Sequence, residues 1–165
     1  MSPFPPQQPA PDATLAHPHR FHDGSSGVLH VSNREFAYPA GRLIISRTDL
    51  NGVITHCNEA FVEISGYERA ELLGQPHAIL RHPDMPRLAY QGLWETLQAG
   101  GKWHGYVKNL RKDGSHYWVY ATAVPNRRRG EVVGYTSVRR EASRRRIDEA
   151  VALYTQLLQQ ERAQP

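Results

Sequence analysis

The sequence predicts an α+β fold, in which a five-stranded antiparallel sheet has short helices over one face and is followed by a C-terminal helix. Two segments rich in β-branched residues come first, three longer strand-like segments come last, and short helical segments separate the two groups. Within each group, consecutive strands are joined by a short turn that ends in glycine, which favours antiparallel hairpins. The intervening helices must then cover one face of the sheet and leave a cavity between the layers.

The first two strands are predicted over residues 43–48 and 53–57. Between them, Asn51 and Gly52 form a dipeptide that favours a tight hairpin, because both residue types tolerate positive φ angles. Asn58 follows the second strand and suits the N-cap of a helix, since apolar residues recur after it at helical spacing. The chain therefore enters its helical part directly from a hairpin.

The remaining elements follow from the same kinds of signal. Short helical turns are predicted over residues 69–73 and 76–80, and a longer helix over residues 86–99, where Pro86 suits the first turn. Three strands then complete the sheet, over residues 103–110, 115–126 and 131–139.

The two ends of the chain are predicted to lie outside this domain, which spans residues 41–141. Residues 1–40 are rich in proline and then in glycine and serine, which predicts a mostly disordered arm with a short cap near residues 28–36. Residues 142–165 are predicted to form an amphipathic helix. Its narrow apolar seam favours either a coiled-coil partner or packing onto its own domain, and consists of Ile147, Val151, Tyr154 and Leu158.

Composition and charge exclude several classes of function. The net charge is +4, but the arginine clusters fit a solvated hairpin tip and helix start, and no nucleic-acid-binding motif accompanies them. The single cysteine, Cys57, cannot form an internal disulfide or a cysteine-rich zinc site. No signal peptide and no apolar run of about 18 residues is present. We therefore expect a cytoplasmic protein without a metal site, a nucleic-acid partner or direct membrane insertion.

Several motifs, taken together, resemble the PAS domain family. Residues 58–61, 65–67 and 71–75 are similar to the front half of a PAS domain. The block at residues 81–86, Arg-His-Pro-Asp-Met-Pro, is narrower and is similar to the signature of PAS domains in bacterial aerotaxis receptors. Motifs at residues 94–97, 101–103, 107–109, 111–119, 124–125 and 134–139 continue the match, which covers residues 42–157.

This resemblance implies a non-covalently bound FAD whose redox state reports oxygen or electron transport. In aerotaxis receptors the signal passes to a domain that controls a chemotaxis kinase. A full receptor continues into membrane-spanning helices and a coiled-coil signalling domain, which this sequence lacks. We therefore expect either an excised sensory domain or a stand-alone relative, with a second copy of itself or a chemotaxis protein as its partner.

The resemblance assigns cofactor binding to Arg81, His82 and Asp84. An arginine can hold a pyrophosphate in a bidentate manner, which favours FAD over a neutral ligand. A histidine can donate to a phosphate or a ring carbonyl, and an aspartate can accept from a ribose or ribityl hydroxyl. The alternative is structural, because the same residues could form an N-cap and ion-pair cluster that opens the helix at Pro86, with Asp84 well placed for that role.

The remaining candidate cofactor-binding residues are Trp103, Asn109, Asn58, His77 and Thr122. Trp103 and Asn109 share one face of a predicted strand, where an indole can pack against an isoalloxazine ring and a carboxamide can pair with its pyrimidine edge. Their alternatives are a core tryptophan and a turn-capping asparagine. Asn58 opens the first PAS-like block, and His77 lies near the expected cavity. Thr122 stands where aerotaxis-type sequences often have asparagine. Threonine keeps a hydrogen-bonding group there but lacks the paired donor and acceptor of a carboxamide.

Other functions are also considered. Nine histidines would allow haem ligation, although the block at residues 81–84 is of the flavin type. The apolar seam of the last helix would suit a cofactor-free dimerisation module. Cys57 lies outside the position where photoreceptor relatives keep their adduct-forming cysteine, so we expect no light-driven adduct. No nucleophile–base constellation or phosphate-binding glycine loop appears, so we expect no enzyme activity.

Overall fold

The computed structural model describes residues 4–9, 14–21 and 23–163. The predicted disorder of residues 1–3, 10–13 and 22, and the predicted helix end at residues 164–165, lie outside the described residues. The described part forms an N-terminal hairpin, a five-stranded sheet with helices over one face, and a C-terminal helix. The predicted α+β class and the PAS-like order of elements are confirmed.

An antiparallel hairpin stands where the sequence predicts mostly disorder. Its strands are β1 (Thr14–Arg20) and β2 (Ser26–Ser32). Phe21 and Leu29 are buried against Leu110 of the main sheet, so a few apolar residues dock the hairpin despite its polar composition. The side chain of Gln7 bonds both the N–H and the C=O of His30, at 2.8 and 3.0 Å, and so covers an edge of β2. The prediction was wrong here because composition does not show this docking.

The main sheet is antiparallel, with the strand order β4-β3-β7-β6-β5. Its strands are β3 (Ile44–Thr48), β4 (Ile54–Cys57), β5 (Trp103–Leu110), β6 (His116–Arg128) and β7 (Glu131–Arg140). The last hairpin is tighter than predicted, because Arg127 and Arg128 pair with β7. Its turn consists of Arg129 and Gly130, which both have positive φ angles, of 52° and 81°.

The helices lie where the sequence predicts them, within one or two residues. They are α1 (Glu59–Ser65), α2 (Arg69–Leu72), a 3₁₀ helix (His77–Leu80), α3 (Arg87–Gln98) and α4 (Arg144–Ala163). Asn58 caps α1 as predicted, because its Oδ1 accepts a hydrogen bond from the N–H of Phe61 at 3.1 Å. Gly66, with a φ of 77°, ends the same helix.

The main hydrophobic core lies between these short helices and the sheet. Its fully buried members include Ile44, Ile54, Phe61, Leu72, Tyr117 and Val119. Apolar burial of this kind is the main force that holds the helices on the sheet. The cavity described below lies beside this core, under α3 and the 3₁₀ helix.

Helix α4 packs onto its own domain, which is one of the two arrangements that the seam allows. Ile147 and Ala150 are buried against Trp118, and Tyr154 is half-buried beside them. Val151 is left 44% exposed, so the seam is only partly used. Among the described residues, no helix is both long enough and apolar enough to cross a bilayer.

Candidate functional site

A cavity of about 310 Å³ separates the sheet from the helices. This volume lies at the lower end of the range for small-molecule sites, which is roughly 300–1,000 Å³. Strands β3, β5, β6 and β7 form the floor, and the 3₁₀ helix, Arg81 and α3 form the other wall. The lining side chains that matter below are Ser46, His77, Arg81, Tyr90, Trp103, Asn109 and Arg139.

Four of the eight predicted residues line this cavity: His77, Arg81, Trp103 and Asn109. Trp103 and Asn109 share the cavity face of β5, as the predicted strand parity requires. The indole of Trp103 lies over Gly105, where a Cβ atom would come within 2.4 Å of the ring. Only glycine at position 105 therefore leaves room for the indole in this position.

Arg81 lines the cavity between Asn109 of β5 and Tyr90 of α3. Its guanidinium carbon lies 4.3 Å from the ring centre of Tyr90, an arrangement typical of a cation–π contact. Its backbone forms an isolated bridge with Asn109, which ties the loop to the edge strand. The side chain is thus held in the cavity wall against the ring of Tyr90.

Arg139 is a buried cation in the cavity wall that the sequence analysis missed. It is 3% exposed, and its Nη2 donates to Ser46 Oγ at 3.0 Å and to His77 Nε2 at 2.7 Å. Burial lowers the pKa of Arg139 to about 10, so the guanidinium stays charged at neutral pH. The described lining contains no carboxylate that could pair with it.

His77 is held as a neutral hydrogen-bond acceptor. Burial, together with the nearby Arg139, lowers the pKa of His77 to about 3. Because Nε2 accepts from the guanidinium, the ring proton must lie on Nδ1. The predicted residue therefore lines the cavity and also orients the arginine.

Arg139 Nη1 is a buried donor in the wall that has no protein partner in the part of the chain that the structure describes. Asn109 Nδ2 is also buried, and a weak hydrogen bond joins it to the hydroxyl of Tyr117, its partner across β5 and β6. An unpaired buried donor is costly, roughly 1–3 kcal/mol and more for a charged group. These donors beside an otherwise largely apolar cavity favour a ligand with a polar, electron-rich edge.

His82 and Asp84, by contrast, do not line the cavity. His82 is 3% exposed, and its Nδ1 accepts from the N–H of Asp84 at 3.0 Å, which folds the loop. Burial, followed by the charge of Lys108, lowers the pKa of His82 to about 3. Asp84 points outward and pairs with Lys108 Nζ at 2.8 Å. The ion pair of the structural alternative is therefore present, but neither side chain caps α3, whose N-cap Pro86 has no side-chain cap. Contact of these residues with an outer part of a cofactor stays a prediction.

Asn58 and Thr122 are also placed away from the cavity. The carboxamide of Asn58 forms hydrogen bonds with the backbone. Its Oδ1 caps α1, and its Nδ2 donates to Leu43 C=O at 2.8 Å. Thr122 faces the other side of the sheet, where its Oγ1 lies 3.0 Å from His104 Nδ1. The side chains of β6 alternate, so its neighbours, and not Thr122, face the cavity. Neither side chain is among the residues that line this cavity, and cofactor contact through them stays a prediction.

Comparison with known proteins gives one family. The family model described as "PAS fold" matches residues 54–139, more than half of the chain. The aerotaxis receptor of Escherichia coli (strain K12) is 50% identical over 114 residues, which are 69% of this chain and 22% of that protein. The nitrogen fixation regulatory protein of Klebsiella pneumoniae is 36% identical over 100 residues, 60% of this chain and 20% of that protein. The chain thus spans about a fifth of the length of these relatives.

Solved structures give the same fold. A PAS domain from Colwellia psychrerythraea has a TM-score of 0.52 at 27% identity, covering 61% of this chain and 86% of that one. A light-oxygen-voltage domain studied with a flavin analogue has a TM-score of 0.57 at 27% identity, covering 74% of this chain and 87% of that one. With the sheet, the helical wall and the family match in agreement, this chain belongs to the PAS family.

Proposed function

We propose that this PAS domain is a sensor that binds a flavin, specifically FAD, and relays its redox state to a signalling partner. The observation that carries the proposal is the cavity wall that Trp103 and Asn109 share with the unpaired donor of Arg139. A flat apolar ring system with a polar edge fits such a wall. The E. coli relative is an aerotaxis receptor, which supports a sensory role.

Each wall residue has a defined part in holding the ring. The indole of Trp103 would pack against the isoalloxazine, and the carboxamide of Asn109 would pair with its polar edge. Arg139 Nη1 would donate to an electron-rich atom of the ring, since its other terminal nitrogen is already bonded to Ser46 and His77. The neutral His77 sets the direction of that guanidinium.

A bound flavin supplies reversible electron transfer, which is the chemistry that a redox sensor needs. The protein contributes a fixed positive charge, because Arg139 keeps its proton at neutral pH. This charge stabilises the bound ligand more strongly when the edge of the ligand next to Arg139 carries more negative charge. A change in the charge of the ligand would alter its contacts with β5 and β7, and the conformation of these strands would then depend on the redox state.

The choice of FAD over smaller flavins rests on Arg81. The cavity of about 310 Å³ can hold only part of a dinucleotide, so the pyrophosphate would lie at the rim. Arg81 lines the cavity against the ring of Tyr90, and we propose that its guanidinium binds this pyrophosphate. We further propose that the protein is a cytoplasmic sensor without enzyme activity.

Titration of flavin-free protein with FAD and riboflavin, followed by flavin fluorescence, tests this proposal. We expect both to bind, with FAD the tighter. The Arg81→Ala variant should lose about tenfold or more in FAD affinity and keep its riboflavin affinity, because only FAD has a pyrophosphate. Arg128→Ala, at the exposed hairpin tip, is the matched control. Failure of both flavins to bind would refute the flavin proposal, and equal losses for both would refute the role of Arg81.

A second candidate function is dimerisation through α4. Val151 of the apolar seam is 44% exposed, so the seam is not fully used by its own domain. We propose that a second copy covers the exposed part of the seam. Light scattering on Val151→Asp should show a smaller mass than the wild type, and a wild type that is monomeric at all accessible concentrations would refute the proposal.

A further inference from the structure

The N-terminal hairpin, formed by β1 and β2, is held on the domain by a small apolar cluster and a few backbone hydrogen bonds. Phe21 and Leu29 pack against Leu110, and the N–H of Ser32 donates to the C=O of Gly114 at 2.9 Å. A two-stranded hairpin is only marginally stable by itself, so its folding depends on this docking. A segment with few buried contacts opens at low free energy.

Histidines from three elements lie where this hairpin meets the domain. His82, in the loop before α3, and His116 of β6 are 3% and 8% exposed, and their rings meet edge to face with centres 5.9 Å apart. His17 of β1 pairs with Leu29 of β2, so both side chains lie on the docked face of the hairpin. Nδ1 of His17 is buried, and a charge on this ring would act on both His82 and Asp84. These three rings form the histidine cluster.

A second proton on His82 would break a hydrogen bond and add a charge beside a cation. Its Nδ1 accepts from the N–H of Asp84 at 3.0 Å, so protonation at that atom would set two donors against each other. The carboxylate of Asp84 lies 3.8 Å from Nδ1 and is already bonded to Lys108, at 2.8 Å. Arg162 of α4 faces the same groove as Asp84 and Lys108 and adds another positive charge. The docked ring of His82 is therefore held neutral.

His116 is also disfavoured as a cation. Burial, followed by the charge of Lys108, lowers its pKa, and a hydrogen bond with the backbone of Ser32 offsets part of this effect. Glu35 lies 3.9 Å from His116 Nε2, but it also accepts a hydrogen bond from Arg144 of α4 at 3.1 Å. A protonated His116 would thus share its nearest carboxylate with an arginine.

His19 extends the same effect along the hairpin. It shares the docked face of β1 with His17, and burial, followed by the charge of Arg81, lowers its pKa. Release of the hairpin returns water to these rings, and a hydrated histidine has a pKa of about 6.5. His19, His82 and His116 therefore bind protons more readily in the released state, so release becomes more favourable as the pH falls below about 6.5.

We propose that the histidine cluster makes docking of the N-terminal hairpin depend on pH. The neutral rings allow the hairpin to stay on the domain at pH 7, and their protonation below about pH 6 shifts the equilibrium towards release. The inference goes beyond flavin binding, since it needs no ligand in the cavity. Acid thus opens the N-terminal surface of the domain while the main sheet stays folded.

Amide hydrogen exchange of the full chain between pH 7 and pH 5 tests this proposal, read as protection factors, which correct for the intrinsic dependence of exchange on pH. We expect the protection of the β1 and β2 amides to fall at least about tenfold from pH 6 to pH 5. This is the factor for one histidine that gains its proton only on release. At every pH these amides should exchange faster than the central amides of β6, since the hairpin opens without the sheet.

Substitution of the histidines shows whether they cause this dependence. His116→Gln removes one titrating ring and should reduce the fall in protection, and His19→Gln, on the hairpin itself, should do the same without altering the main sheet. His56→Gln changes an exposed ring on β4 and should keep the fall of the wild type. Hairpin protection that is absent at pH 7, or that does not change with pH, would overturn the proposal. So would equal protection of hairpin and β6 amides, or an unreduced fall in His19→Gln.

Discussion

Replacing Arg139 by methionine distinguishes a role of this arginine in ligand binding from a role in the stability of the fold. Methionine fills a similar volume but removes the buried charge. In the ligand-free protein the charge is costly, because a pKa of about 10 instead of 12.5 corresponds to roughly 3 kcal/mol against the charged form. Removing it also leaves Ser46 and His77 without their donor, at about 1–3 kcal/mol.

These two terms oppose each other, so we expect the unfolding free energy of ligand-free Arg139→Met to lie within about 2 kcal/mol of the wild type. FAD affinity should fall by about tenfold to a hundredfold, since a hydrogen bond from a charged donor is worth about 1.5–3 kcal/mol. Urea unfolding and FAD titration measure the two quantities on the same samples.

Arg140→Met is the matched control, because Arg140 is the next residue of β7 and is exposed on the other face. It should change neither quantity. A loss of more than about 4 kcal/mol in ligand-free Arg139→Met would show that this arginine supports the fold and not the ligand. Unchanged FAD affinity would equally contradict the role assigned to its free donor.

The other predictions concern the wall and the buried histidines. Gly105→Ala should displace the indole of Trp103, because overpacking costs about 1–3 kcal/mol. FAD binding should weaken at least tenfold while the circular dichroism spectrum stays unchanged. Unchanged FAD affinity would contradict the packing of Trp103. Thr122→Asn should leave FAD affinity unchanged, because the side chain faces away from the cavity; a clear gain would show that it reaches the ligand. Folded His77 and His82 have pKa values of about 3, so the unfolded chain binds more protons below about pH 6.5, and stability should fall as pH falls. The slope should be about 1.4 kcal/mol per pH unit for each histidine between pH 6 and 4, and urea unfolding of His77→Gln should show about half of the combined slope.

The sequence predicts the sheet, its hairpins and the short helices well because local signals and the global fold agree. Asn58 predicts the start of α1 by its capping chemistry, and strand parity places Trp103 and Asn109 on one face. The alternation of side chains along β6 also predicts that Thr122 lies on the outer face. Thr122 became a candidate only through the resemblance to aerotaxis-type sequences.

Long-range contacts account for what the sequence does not predict. The partners of Arg139 come from residues 62 and 93 positions away, so no local pattern shows that this arginine is buried. An arginine in a strand normally indicates a solvated side chain. The N-terminal hairpin was missed for a similar reason, because Phe21 and Leu29 become buried only against the distant Leu110.

Release and identification of the chromophore from purified protein tests the central claim most directly. The protein should be yellow, and heat or acid should release FAD in about equal amount to the protein, with no haem and no covalently retained flavin. Protein isolated without chromophore should take up added FAD. A colourless protein that takes up no flavin, or one that releases haem, would contradict the account of this cavity.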